Sequence, residues 1–259
     1  MNQTISSDKL LSEIGGLPFI DREFSARKLL TFVAMLRRDI DDARHPPQAY
    51  LDPHLSAELY REKGRGSVIY PLSSELTQMD SATVQEIVGR IVKQRPDWKS
   101  LFEIPLIFRR LDTDQVSLTN PLIPQQVFLG ARALSDEFLL PETIVHELSH
   151  VWSGFILEIF DYQHDGCPAN YVLPSGTPNK DIRGVVLAAL FAAAVLDFYV
   201  SNPNCAQHAR ISARISYLRS YLDGCIDTVF HSHHTSSMGR AVTERLAAYT
   251  SRLFATQPI

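Results

Sequence analysis

Apolar residues in the first part of the chain recur at a helical spacing. In DREFSARKLLTFVAMLRRDIDDA (21–43), Phe24, Leu29, Phe32, Val33, Leu36 and Ile40 return close to every 3.6 residues, which predicts an amphipathic helix. HPP at 45–47 ends it, because proline has no amide hydrogen and restricts the residue before it. A glycine-rich joint, KGRGS (63–67), leads into a short strand candidate, VIYPL (68–72). A second helix is predicted over 81–94, starting at an Asp80/Ser81 cap and stopping before Pro96.

The pattern changes over 101–130. LFEIPLIFRRL, QVSL and QQVFLG are rich in Ile, Val and Phe and are broken by TNPLIP, which reads as two to four short strands. They directly precede a histidine motif, so they are expected to flank the opening of a site. Helical periodicity then resumes over 138–160, 182–200, 204–230 and 238–254. The loop DYQHDGCPANYVLPSGTPNK (161–180) is longer than a simple connector requires. The expectation is a mostly α fold with a minor β component. It is a single domain over 1–259, with an N-terminal helical part (1–100), short strands (101–130) and a helical part carrying the histidine motif (131–259).

Composition narrows the class of protein. With 259 residues, 45% of them hydrophobic and 21% charged, the chain can bury a substantial core. A formal net charge of -4, without a run of Lys and Arg among aromatics, gives no reason to expect a nucleic-acid partner. Cys167, Cys205 and Cys225 lack Cys-x-x-Cys spacing and are too scattered for a disulfide framework, which fits a reducing cytoplasm. The opening MNQTISSDKLLSEIGG has no basic start and no continuous apolar run of a signal peptide. GVVLAALFAAAVLDFYV (184–200) is apolar but short, Ala-rich and interrupted by Asp197; a buried core helix is expected, with no membrane partner.

The chemistry concentrates in PETIVHELSHVW (141–152). Residues four apart on a helix share a face, so His146 and His150 present two imidazoles that can hold one divalent metal. Glu147 projects beside them, where a carboxylate can take a proton from metal-bound water or orient a ligand. Chance supplies this H-E-x-x-H triplet about 0.01–0.02 times in a chain of this composition. The residues after His150 break the longer metzincin pattern, and Glu158 lies about 12 Å further along the helix axis. The third ligand stays open among His164, Asp165, Asp181, Asp197, His208, His231, His233 and His234.

Three segments together carry a family resemblance: VHELSHVWSGFILEIFDY, KDIRGVVLAALFAAAVLDFYV and SSMGRAVTERLAAY. Over about residues 120–255 the chain resembles the HExxH-motif proteins found beside peptide-modifying gene clusters, whose members are similar to iron- and 2-oxoglutarate-dependent peptide β-hydroxylases. The resemblance implies that His146 and His150 are Fe(II) ligands and Glu147 is the catalytic motif carboxylate. It also implies 2-oxoglutarate as cosubstrate, and an amino-acid side chain in a peptide or on a carrier protein as the target. Gly184 and the DFY triplet (Asp197, Phe198, Tyr199) match the family's second block. Lys180-Asp181 stands where that block has Arg-Pro, and the Trp-Arg of its preceding loop is missing.

The distal carboxylate of 2-oxoglutarate requires a cationic anchor, preferably a bidentate arginine. Lys180 and Arg183, at the start of the 182–200 helix, are the candidates, with Arg210 and Arg214 on the following helix as further cations. Helix spacing does not separate iron from zinc. A zinc metallopeptidase or related hydrolase, with Glu147 as general base, is therefore the alternative enzyme. A non-catalytic helical binding protein is the other alternative.

Overall fold

In the computed structural model, which describes residues 7–62, 69–202 and 208–255, the chain is mostly helical with one four-stranded sheet. It divides into two compact units: one is Ala26–Phe155, and the other joins Met1–Ser25 to Ile156–Ile259.

The continuous unit begins with α2 (Ala26–Ile40), preceded in the chain by a short α1 (Ser7–Glu13). α2 turns Leu29, Val33 and the whole of Arg37 inward. A 3-10 turn at Pro47–Leu51 and α3 (Pro53–Glu62) follow. Periodicity did not predict α3, yet Asp52 Oδ1 accepts from the amides of His54 and Leu55 at 2.9 and 3.0 Å, with Pro53 in the first turn. An acidic cap followed by proline is a helix-start signal.

β1 (Ser73–Glu75) comes after, displaced from the VIYPL expectation. Val68 and the KGRGS joint lie outside the described residues, and Ile69–Leu72 is not a strand; Pro71, which has no amide to give a ladder, explains why pairing starts later. α4 (Gln78–Gln94) starts earlier than predicted, because Thr77 rather than Asp80/Ser81 is the cap and accepts from the Asp80 amide at 3.1 Å. A 3-10 turn at Pro96–Trp98 runs into α5 (Lys99–Phe102), so the first residues of LFEIP are helical.

The remaining strands are β2 (Ile107–Leu111), β3 (Ser117–Asn120) and β4 (Ile123–Leu129). Sheet order is β1-β2-β4-β3; β2 and β4 are parallel, whereas β1 and β3 pair antiparallel at the edges. Leu111, Ile123 and Phe128 form a buried cluster against which Leu118 packs. Gln125 has φ 62°, and its side-chain amide donates to the carbonyls of Leu51 and Pro105 at 2.7 and 2.8 Å. Arg37 donates to Tyr50 O at 2.7 Å, Ser56 Oγ at 2.5 Å and Gln125 Oε1 at 3.3 Å, tying α2, the 3-10 turn, α3 and β4 together. α6 (Ala131–Ser135) and α7 (Leu139–Ile159) complete this part of the chain, the last turn of α7 belonging to the other unit.

The discontinuous unit is built on α8 (Ile182–Val200), α9 (Ala209–His231) and α10 (Ser237–Ala255), with α1 against α10. α8 spans the predicted residues. Asp181 caps it by accepting from the Gly184 amide at 2.8 Å. Its length and composition would allow it to cross a membrane, but 78% of its most apolar window is buried, and it packs on α9 and α10. A helix apolar on all sides belongs inside a core. Residues 203–207, including Cys205 and the predicted start of α9, lie outside the described residues.

Candidate metal centre

α7 starts on Asp136, whose Oδ1 accepts from the amides of Phe138 and Leu139 at 2.9 and 3.0 Å. Ile144, Val145, Leu148, Val151 and Trp152 give it a buried stripe, and the Trp152 indole donates to Leu101 O at 3.1 Å. That anchoring fixes the helix rotation, and so fixes where the H-E-x-x-H residues point. All three lie on α7, within the continuous unit.

The two imidazoles face each other. His146 Nε2 and His150 Nε2 are 3.0 Å apart, and the rings meet edge to face with centroids 4.8 Å apart. Ligands about 2.1 Å from one ion span about 3.0 Å when set at right angles and about 3.4 Å at the tetrahedral angle. The same 3.0 Å is the length of an N–H···N hydrogen bond between the rings, so the distance accommodates either a shared proton or neighbouring positions on one divalent ion. The His146 side chain is 28% exposed.

Glu147 is placed differently from its neighbours. Its side chain is 3% exposed, and Oε1 lies 3.9 Å from His146 Nε2. Ser117 Oγ donates to Oε1 at 2.5 Å, and Thr119 Oγ1 donates to Oε2 at 2.8 Å. Residues two apart on a strand share a face, so β3 presents both hydroxyls to α7 at once. Ser117 and Thr119 were not singled out by the sequence; the alternation in SLTN puts them on one face but does not say what that face meets.

Among the described residues, no group of three or more His, Cys, Asp or Glu is arranged to hold a metal. The third-ligand candidates all belong to the discontinuous unit, where most have visible structural roles. The His164 amide donates to His234 O, and Asp165 lies in the same loop. Asp181 caps α8 and also accepts from Gln163 Nε2 at 3.0 Å. Asp197 accepts from the Tyr249 hydroxyl at 2.9 Å. His208 sits at the N-cap of α9, His231 pairs with Asp227 at 3.2 Å, and the rings of His233 and His234 lie 4.0 Å apart.

The anchor candidates occupy that unit too. Arg183 donates from Nε to Asp161 Oδ1 at 3.0 Å and from Nη2 to Oδ2, a bidentate pair that holds its guanidinium above the ordinary arginine range. Lys180 exchanges backbone hydrogen bonds with Tyr171, and its ammonium makes no ion pair with a described residue. Arg214 stacks over Tyr217 at 5.0 Å. Neither models of known protein families nor curated proteins give a match to this chain.

Proposed function

We propose that this protein is an Fe(II)- and 2-oxoglutarate-dependent oxygenase. It hydroxylates an unactivated C–H of an amino-acid side chain in a peptide or on a carrier protein. One observation supports this reading best: two imidazoles converge 3.0 Å apart while the adjacent carboxylate is tied to two hydroxyls of β3. Few protein ligands leave an ion with open neighbouring positions, which a chelating 2-oxo acid and O2 require. When bound, the iron and its cosubstrate supply the oxidant: one oxygen atom of O2 ends in succinate, with release of CO2, and the other in the hydroxyl product.

His146 and His150 hold the ion in this reading. A buried carboxylate that accepts from two hydroxyls on a neighbouring strand is fixed in position. Glu147 therefore serves to lock the histidine face of α7 and to place negative charge beside the ion. A zinc hydrolase is the second reading. It is favoured by the 3.9 Å separation of Glu147 Oε1 from His146 Nε2, which lets the carboxylate reach a water on the metal.

The test is an anaerobic titration of protein purified without chelator. Fe(II) followed by 2-oxoglutarate should give a weak visible charge-transfer band, and admission of oxygen should give succinate. Stoichiometric zinc without the band transfers the assignment to the hydrolase. His146→Ala should abolish metal binding, and unchanged metal content in that variant overturns both readings.

A further inference from the structure

α2 carries more apolar surface than its core contact uses. Its inward stripe is Ala26, Leu29, Val33 and Arg37. A neighbouring stripe, Leu30, Ala34 and Met35, lines a groove of about 620 Å³ closed by Leu51 and Ile104, entirely within the continuous unit. Met35 is 58% exposed there, unusually open for so large an apolar side chain. The volume falls within the range of small-molecule sites, which pair apolar walls with a few polar groups that orient the ligand.

The polar groups of the lining are two cations, Arg27 and Arg38, one acid, Glu103, and the uncharged Thr31, Gln48 and Ser100. Arg27 and Arg38 belong to the same lining, eleven residues and about 16 Å apart along the helix. Neither makes an ion pair with a described residue. Glu103 is the acid in the lining, and it is matched by Lys99 at 3.5 Å. Arg38 follows Arg37, whose guanidinium is fixed on Tyr50 O, so Arg38 lies at the end of α2 held to the 3-10 turn that supplies Gln48 to the lining. A guanidinium suits a carboxylate.

We infer that this groove binds an amphipathic monocarboxylate, its apolar body along Leu30, Ala34 and Met35 and its head on Arg38. The inference is independent of the metal centre.

Isothermal titration with dodecanoate below its micelle concentration tests it, with dodecanol as the uncharged probe. The intact chain should bind one equivalent of dodecanoate at least tenfold more tightly than dodecanol. Arg38→Ala should remove that preference and Arg38→Lys restore part of it, while Arg27→Ala changes affinity less than threefold. Ala34→Trp, which fills the groove from its exposed side, should abolish binding without changing the circular dichroism spectrum. Equal affinity for the two probes, or an unaltered preference in Arg38→Ala, overturns the assignment. So does self-association of the chain that Ala34→Glu disrupts, because the groove would then be a contact between copies.

Discussion

Thr119→Val tests whether the buried Glu147 carboxylate is held as described. Valine keeps the shape of threonine and removes the donor 2.8 Å from Oε2, leaving Ser117 on Oε1 at 2.5 Å. A hydrogen bond to a charged group contributes about 1.5–3 kcal/mol net, and an oxygen left unsatisfied in a buried site loses its hydration as well. The side chain is 3% exposed, so solvent screening does little to reduce this. The expected loss is about 2 kcal/mol, which lowers a urea midpoint by about 1 M at a typical denaturant slope. Trp98 and Trp152, the two tryptophans of the chain, are both buried in the continuous unit, so fluorescence reports its unfolding directly. In a Glu147→Gln background the same substitution should be milder, with a coupling of about 1–2 kcal/mol in the double-mutant cycle. A loss below about 0.5 kcal/mol together with zero coupling would refute the clamp, and with it the argument that β3 locks Glu147 in place.

Arg37→Met should destabilise the same unit by about 3 kcal/mol in urea titrations, because Tyr50 O, Ser56 and Gln125 lose a buried donor together. Asp41 is held below its ordinary value of 3.8, chiefly by the His45 ring at 2.7 Å and also by the Tyr50 hydroxyl and Arg44. A depressed carboxylate stabilises the fold above its unfolded value and loses that contribution as pH falls through the folded one. Asp41→Asn should accordingly flatten the decline in stability below pH 3.8 seen by acid titration of tryptophan fluorescence. Burial pushes the Cys225 thiol up to about 12, so in a Cys205→Ser background a thiol reagent should label half-buried Cys167 first and reach Cys225 only on unfolding.

Much of the helical framework was legible because long apolar periods are strong signals. α8 begins and ends where its pattern does, and α7 departs from its predicted span by one residue at each end. Shorter elements were hidden. α3 has few apolar repeats, and its signal is the Asp52-Pro53 cap. The convergence of His146 and His150 was readable from local spacing, since four residues along a helix is a fixed geometry. Its support on β3 was not. The contacts of Glu147 with Ser117 and Thr119 span 30 and 28 residues of sequence, and strand alternation names a face without naming its neighbour. For the same reason, bidentate pairing of Arg183 with Asp161 could not be read from 161–183 as a string.

The discontinuity of one unit bears on how the chain is made. During synthesis, Ala26–Phe155 is complete well before the ribosome has finished, so its sheet and most of the H-E-x-x-H helix can assemble early. α1 has no such option. The helix it packs against, α10, follows it by more than 200 residues, so that contact closes a long loop. Loop entropy sets a cost on such a closure, and α1 can dock only after α10 has emerged.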